Sequence, residues 1–174
     1  MIFENHVPFS SFFGAPKLRY VTKFIVIHNI GVAGQTANQA QRYFADPTKT
    51  TYSGVHYCVD IDGMVHEFAN RDHITYHCGY KTYTPYMLAN YPSHTTNQPR
   101  ETPNWISCGI EMCHPLADGK PTPETLMSTI SLAKELMAYY NTREVLRHYD
   151  ITGKNCPAYY VAHSDEWERF KEEL

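Results

Sequence analysis

The chain has 174 residues, a length that suits one domain large enough to bury a substantial core. Its formal net charge of −3 gives no electrostatic reason to expect nucleic acid or an anionic membrane surface as a partner. No apolar run approaches the roughly 18 residues of a membrane span, and no basic-then-apolar signal pattern opens the chain. Because the five cysteines are odd in number and no such signal is found, the sequence favours a reduced chain made in the cytosol.

The N-terminal part predicts an arm, a strand and a helix. Residues 1–20 carry proline and glycine among aromatics, which is typical of an irregular arm that wraps the domain. Residues 23–28 are apolar at consecutive positions and predict a strand that is covered on both faces. Thr36 and Gln39 form a capping box, and the helix that they begin stops at Asp46-Pro47.

The middle of the chain predicts a hairpin followed by a long loop. Residues 55–61 alternate between apolar and polar side chains, and Asp62-Gly63 turns this strand into a second one at 64–68. Residues 74–78 indicate one more short strand. Residues 79–105 are rich in tyrosine, proline and asparagine without a regular period, so we expect a long loop there. It is either a surface excursion or a flap that contacts substrate.

The last part predicts a strand and two helices. Residues 106–113 alternate, which places Glu111 on the face opposite the apolar side chains. Thr122 caps a helix that ends at Asn141, and Ser164 caps a final short helix. The first of these helices presents one apolar face, formed by Leu126, Met127, Ile130, Ala133, Met137 and Tyr140. The order of elements predicts a single α/β domain over residues 1–174, with a central mixed β-sheet flanked by helices.

Candidate metal ligands lie in two segments. His148 and Cys156 offer an imidazole and a thiol, with Lys154 between them, in a stretch so rich in turn formers that we expect no regular helix there. His28 ends the most apolar strand. Two imidazoles and one thiolate are three ligands, the number that leaves a catalytic zinc one open position for water. Structural zinc sites are closed by four ligands, usually in paired clips, and the sequence has no such clips.

Three segments together resemble the zinc-dependent N-acetylmuramoyl-L-alanine amidases of the type 2 group. They are the Ile-Val-Ile-His strand that ends at His28, the Gly-Ile-Glu strand at 109–111, and the segment 148–156. This group includes many phage endolysins and shares a fold with the peptidoglycan recognition proteins. The resemblance covers the chain from Phe24 to its C-terminus. It implies that the two histidines and the cysteine hold one zinc ion per chain.

The resemblance also suggests roles for three other residues. Glu111 looks like the catalytic glutamate of bacillus-type phage amidases and would be a general base, although a solvated sheet face is the alternative. A tyrosine that another branch uses for this purpose is replaced here by Val55. Lys154 would stabilise an oxyanion, or it is only an exposed lysine in a turn. His77 resembles a position that lines the substrate groove. The remaining histidines of the folded region are interpreted as ordinary ones: His56, His66, His73, His94, His114 and His163.

The implied reaction is hydrolysis of the amide bond between N-acetylmuramic acid and L-alanine in peptidoglycan. We expect a phage or prophage endolysin that works as a monomer on the cell wall after export or lysis, with no nucleic acid or membrane partner. The chain would be a catalytic fragment or a minimal enzyme. A non-catalytic peptidoglycan-binding module is one alternative, but such modules typically lack the cysteine ligand. A cysteine peptidase using Cys156 and His148 is another, but Pro157 places that thiol in a turn instead of at a helix N-terminus.

Overall fold

The computed structural model describes five stretches of the chain: residues 2–7, 13–49, 53–79, 82–98 and 100–174. Within them lie eight strands: β1 (Ile2–Glu4), β2 (Phe13–Pro16), β3 (Phe24–Asn29), β4 (Tyr57–Val59), β5 (Val65–Glu67), β6 (His73–Thr75), β7 (Ser107–Met112) and β8 (Val145–Arg147). The same stretches contain six α-helices: α1 (Ala37–Ala45), α2 (Pro85–Asn90), α3 (Pro123–Tyr140), α4 (His148–Thr152), α5 (Ala158–Ala162) and α6 (Ser164–Glu172). None of the helices described is long and apolar enough to cross a membrane.

The central sheet is mixed, as the sequence predicts. Its strand order is β1-β5-β4-β7-β3-β8, and β2 pairs with β6 in a separate two-stranded sheet. Only the β4–β5 hairpin is antiparallel in the larger sheet, because its other neighbours run in parallel. The first four residues of β3 have no exposed surface, as expected for a strand covered on both faces. The fold is therefore a single α/β domain with helices packed on a mixed sheet.

The register of the parallel strands collects polar side chains at one edge of the sheet. His28 pairs with Glu111 across β3 and β7, and Ile27 pairs with Arg147 across β3 and β8. His148 follows Arg147 directly and thus lies at the same edge. Parallel strands end together, and ligands in α/β sheets bind beyond their carboxyl ends. This edge is where a functional site is expected.

Several local predictions are confirmed. Thr36 and Gln39 form the capping box of α1, which ends with Asp46 as its C-cap. Thr122 caps α3, and Asn141 ends it in the left-handed conformation at φ 55°. The structure describes all five cysteines, and each is a free, buried thiol.

The buried face of α3 differs from the predicted one. Met127 was expected in the core but is 71% exposed, and Leu126, Ile130 and Met137 are only partly buried. The helix instead buries a set that includes two threonines: Thr125, Thr129, Leu132, Ala133, Leu136 and Tyr140. Threonine can face the core here because each hydroxyl donates to a carbonyl, Thr129 to Thr125 O and Thr125 to Asp60 O. A search for apolar residues at helical spacing therefore misses a buried face that contains threonines.

Two segments expected to be irregular contain regular structure. The arm supplies β1, which adds to the edge of the main sheet beside β5, although residues 8–12 lie outside the described part. The stretch 79–105 contains α2, because Pro85 occupies its first turn and the Thr84 side chain accepts from Met87 N.

Three smaller expectations also differ from the structure. The strand expected at 74–78 is shorter and earlier, at β6. Ser164 is the first residue of α6, and its N-cap is His163. The segment from His148, expected to lack regular helix, begins with the five-residue α4.

Candidate metal and active site

His28 is delivered to the site by β3, a strand that is buried at every position before Asn29. Its side chain is 1% exposed at the end of β3. Its Nε2 lies 2.9 Å from His77 Nδ1, so one ring nitrogen is held inside the protein. Its Nδ1 points the other way and lies 3.7 Å from Cys156 Sγ. The strand therefore presents Nδ1 to the segment that carries the other candidate ligands.

The segment 148–156 is folded back on itself by local hydrogen bonds. Arg147 N donates to the Asp150 carboxylate at 2.8 Å, and the Arg147 guanidinium pairs with the same carboxylate at 2.7 Å. Gly153, at φ 78°, ends α4 in a conformation that favours glycine. Tyr149 N then donates to Cys156 O at 2.9 Å, which returns the cysteine to the start of the helix. The turn formers thus bring Cys156 back beside His148.

An asparagine ties this segment to the sheet. Asn29 Oδ1 accepts from Ala158 N at 2.8 Å, which fixes the chain just after Cys156 against the end of β3. Sequence reasoning missed Asn29. The available signal was its position directly after His28, where a polar residue ends a fully buried strand.

The three candidate ligands come together as predicted. Nitrogen and sulfur atoms of His28, His148 and Cys156 all lie within 4.8 Å of one another. All three residues are buried, with exposures of 1%, 4% and 5%. Zinc–nitrogen and zinc–sulfur bonds of about 2.0 and 2.3 Å at a tetrahedral angle separate the two ligand atoms by about 3.5 Å. The observed separation between His28 Nδ1 and Cys156 Sγ, 3.7 Å, is close to that value.

The unsatisfied ring nitrogens of His148 indicate that a ligand binds in this cluster. Both of its ring nitrogens are buried and have no hydrogen-bond partner among the residues that the structure describes. Buried polar atoms are almost always satisfied, so two orphans on one ring call for a ligand. Burial, reinforced by the nearby charge of Lys154, lowers the pKa of His148 to about 3, so its ring is neutral, the form that binds a metal.

The His148 ring is already in its metal-binding form, whereas the thiol of Cys156 must first lose its proton. Burial and the Glu111 carboxylate raise its pKa to about 12, so without a cation it keeps its proton. A metal ion bound by the three residues would displace that proton and satisfy one of the two orphan nitrogens of His148. The donor set therefore fits a zinc ion, for which imidazole and thiolate are ordinary ligands.

Glu111 lies beside this cluster on the neighbouring strand. It is the register partner of His28, so the two side chains leave the same face of the sheet. Its Oε2 is buried and has no hydrogen-bond partner in the described part of the chain. Burial raises the pKa of Glu111 to about 7, while the positive charge of Lys154 acts in the opposite direction. A carboxylate with a pKa near neutrality can both take and return a proton.

Lys154 is exposed in the turn between α4 and Cys156. It lines the same cavity as Glu111, and its charge lowers the pKa values of Glu111, His148 and Cys156. The ammonium group thus contributes a positive charge close to the ligand cluster.

A cavity of about 670 Å³ opens over the site. Its walls include exposed side chains of Val32, Tyr43 and Tyr76, which are 62%, 56% and 39% exposed. Five of the six candidate residues line it: His28, His77, Glu111, Lys154 and Cys156. A larger cavity of about 1060 Å³ elsewhere is lined by none of the candidates, so size alone does not locate the site.

His77 lies in the wall of this cavity, and Asn104 holds its backbone in place. The side-chain oxygen of Asn104 accepts from the backbone N–H groups of His77 and Cys78, at 2.9 and 2.8 Å. The ring rests against Gly109, where a Cβ atom would come within 2.7 Å of His77 Nδ1. The space left by the missing side chain of Gly109 is therefore occupied by the His77 ring. Sequence reasoning did not find Asn104, because nothing in the sequence shows which side chain supports the loop.

The sequence profile of the N-acetylmuramoyl-L-alanine amidase family matches residues 18–159 of this chain, which include every candidate residue. The chain belongs to this amidase family. Among curated members, it is 28% identical over 159 residues to the N-acetylmuramoyl-L-alanine amidase CwlL of Bacillus licheniformis, covering 87% of this chain and 40% of CwlL. It is 29% identical over 158 residues to the N-acetylmuramoyl-L-alanine amidase BlyA of Bacillus subtilis (strain 168), covering 89% of this chain and 41% of BlyA. This family member thus spans about two fifths of the length of these relatives.

Solved structures share the fold of this amidase family member. PlyL superposes with a TM-score of 0.72 at 19% identity and covers 99% of this chain and 96% of its own. The catalytic domain of XlyA gives a TM-score of 0.70 at 23% identity, with 99% and 98% covered. At these identities the likeness establishes the α/β fold alone.

Proposed function

We propose that this chain is a zinc-dependent N-acetylmuramoyl-L-alanine amidase domain that cleaves the amide bond between N-acetylmuramic acid and L-alanine in bacterial peptidoglycan. The observation that carries the proposal is the buried cluster of His28, His148 and Cys156, with Glu111 beside it, at an open cavity. Membership of the amidase family supports the same reaction.

One zinc ion per chain would be held by His28 Nδ1, Cys156 Sγ and one of the two unpartnered nitrogens of His148. Three protein ligands leave a fourth position open, which distinguishes a catalytic from a structural zinc site. Bound there, zinc supplies a Lewis acid that polarises the scissile carbonyl and lowers the pKa of water.

Glu111 is the proposed general base and acid. As water adds to the carbonyl carbon of the lactyl group, the carboxylate takes one proton from that water. It then gives the proton to the nitrogen of L-alanine as the carbon–nitrogen bond breaks, so the products are a free carboxyl group and a free amine. Burial raises the pKa of Glu111 and so makes its carboxylate a stronger proton acceptor than an exposed one, while a zinc ion bound beside it would act in the opposite direction.

Lys154 is the proposed partner of the oxyanion that forms on the carbonyl oxygen. Its exposed side chain lines the cavity, so its ammonium can approach a bound substrate. A positive charge fixed before the reaction stabilises negative charge that develops only in the transition state.

The cavity walls are the proposed substrate groove. Tyr43 and Tyr76 offer exposed rings for contact with sugar or peptide, and His77 contributes a ring edge to the wall between them and the site. In this proposal residues 1–174 act as one catalytic domain and as a monomer. The biological setting is a phage or prophage endolysin that reaches the wall after its release from the cytosol.

The properties of Cys156 oppose a cysteine peptidase. A nucleophilic cysteine needs a depressed pKa, usually from a cationic neighbour or a helix N-terminus. Here burial raises the pKa of the thiol to about 12, and Cys156 is 5% exposed. A thiol in these surroundings is better suited to binding a metal ion than to attacking a substrate.

Digestion of purified bacterial cell walls tests the proposed reaction. An amidase releases new α-amino groups from L-alanine and creates no new reducing sugar ends, and a chelator stops the release. A peptidoglycan-binding module would bind the walls without releasing either group. The appearance of reducing ends would indicate a glycosidase and would overturn the proposal.

A further inference from the structure

The two ring nitrogens of His77 are both engaged inside the protein. His77 Nδ1 lies 2.9 Å from His28 Nε2, and His77 Nε2 lies 3.1 Å from Ser107 Oγ. Each contact requires one hydrogen, so the direction of both bonds can be found by following the protons. His77 thus contributes a carbon edge to the cavity, while its polar atoms face away from a substrate.

The hydroxyl of Ser107 sets these directions. It donates its single hydrogen to Pro103 O at 2.7 Å and can therefore only accept from His77. His77 must carry its proton on Nε2, which leaves a lone pair on Nδ1. That lone pair accepts from His28, so His28 carries its own proton on Nε2.

We propose that Ser107 and His77 form a hydrogen-bonded relay that fixes the tautomer of His28 and keeps its Nδ1 free for the metal ion. The inference rests on the metal site of the proposed function and adds a positioning role for two residues that do not themselves bind the metal. His28 Nδ1 is the atom that faces Cys156 Sγ at 3.7 Å. In the other tautomer a proton on Nδ1 would occupy the direction in which the metal must lie. Ligating histidines usually donate their second N–H to such a partner, which fixes tautomer and ring orientation.

Neighbouring residues also fix the position of the His77 ring. Gly109 gives the ring its seat, since a Cβ atom there would lie 2.7 Å from His77 Nδ1. Asn104 holds the backbone N–H of His77 at 2.9 Å. The relay is therefore supported on one side by the loop before β7 and on the other by β7 itself.

The tautomer of His28 can be measured without any mutation. Long-range proton–nitrogen spectra of metal-free protein labelled with ¹⁵N-histidine distinguish a protonated ring nitrogen from a bare one. For the wild type at neutral pH, the relay predicts that His28 and His77 both carry their proton on Nε2. A His28 ring protonated on Nδ1 would overturn the relay.

Zinc affinity, measured by competition with a chelator, tests what the relay contributes. Hydrogen-bond partners of a ligating histidine usually contribute about 10- to 100-fold in metal affinity, so we expect that loss for His77→Ala. His77→Asn places an amide oxygen near the position of the imidazole Nδ1 and should restore most of the affinity. Ser107→Ala should cause a smaller loss, together with a mixture of His28 tautomers.

Two further variants complete the design. Gly109→Ala should displace the His77 ring and weaken zinc binding although no relay residue is removed. His163→Ala removes an exposed histidine outside the cluster and should leave the affinity unchanged. If folded His77→Ala binds zinc as tightly as the wild type, the relay is wrong even though the metal site stands. If the wild type itself binds no zinc, the proposed metal site fails, while the tautomer spectra still decide whether the relay exists.

Discussion

His28 and Glu111 are register partners on the parallel strands β3 and β7, so a candidate metal ligand and a candidate general base leave the sheet side by side. The orientation of the carboxylate is set by strand pairing, while its surroundings set its chemistry. Burial leaves one oxygen without a partner and raises the pKa of Glu111 to about 7. The rigid sheet thus holds the two groups in a fixed relation before any substrate binds.

Substitution of the cysteine tests its role as a ligand. Cys156→Ser should lose most of the zinc that the wild type binds, because a hydroxyl is a much weaker ligand than a thiolate. Cys113→Ser is the matched control, since Cys113 is also buried but lies outside the ligand cluster. Elemental analysis of the dialysed proteins gives the result. Equal zinc in both variants would remove Cys156 from the site.

Glu111→Gln tests the general base. The amide keeps the size of the side chain but cannot take a proton, so zinc should remain bound while turnover falls by about 10²- to 10⁴-fold. The measurement is the rate of release of L-alanine amino groups at saturating muropeptide, with zinc content determined on the same sample. Full turnover in this variant would exclude Glu111 from the reaction.

The raised pKa of Glu111 also predicts a pH dependence of stability in the metal-free protein. The folded state holds the Glu111 proton up to about pH 7, whereas the unfolded chain releases it near 4.5. The folded state therefore binds more protons between these values, and this group lowers stability as pH rises through that window. A shift from 4.5 to about 7 corresponds to at most about 3 kcal/mol.

Glu111→Gln removes this contribution and gives its direct measure. The unfolding free energy of the variant, minus that of the wild type, should rise between pH 4.5 and 7 and then level off. Taking the difference cancels the buried histidines, whose lowered pKa values act in the opposite direction. Urea unfolding at several pH values measures it, and a difference that does not change with pH would contradict the burial of the carboxylate.

The two alternative roles of Lys154 predict different effects of its removal on turnover. If its ammonium stabilises an oxyanion, Lys154→Ala should lower the rate of the chemical step by about 10²- to 10³-fold with little change in substrate binding. If it is only an exposed lysine, turnover should stay nearly intact and stability should change by no more than about 0.5 kcal/mol. Lys134→Ala, at an exposed position on α3, is the control for loss of a surface charge.

Much of the fold follows from local sequence signals. The unbroken apolar run of β3, the capping box at Thr36 and the left-handed Asn141 each depend on neighbours in the sequence, and the structure has all three. The short helix α4 could not be predicted in this way. The pairing of Arg147 with Asp150 is local, but the sequence does not show that the chain then returns so that Tyr149 N donates to Cys156 O.

In the candidate site too, some features can be predicted from the sequence and others cannot. The metal-binding residue types and their order along the chain are visible in the sequence, and the structure brings His28, His148 and Cys156 together. What the sequence cannot show is how His77 and Ser107 are arranged behind the first ligand. These residues are 30 positions apart, and their roles depend on which atom carries each proton. Such information exists only in the hydrogen-bond geometry.

X-ray diffraction at the zinc absorption edge locates the proposed metal ion directly. Crystals of the protein, grown with zinc and washed, should give one anomalous difference peak per chain. That peak should lie between His28 Nδ1, Cys156 Sγ and one ring nitrogen of His148, on the side of His28 away from His77. No peak at that position, or a peak bound through His28 Nε2, would contradict the proposed site.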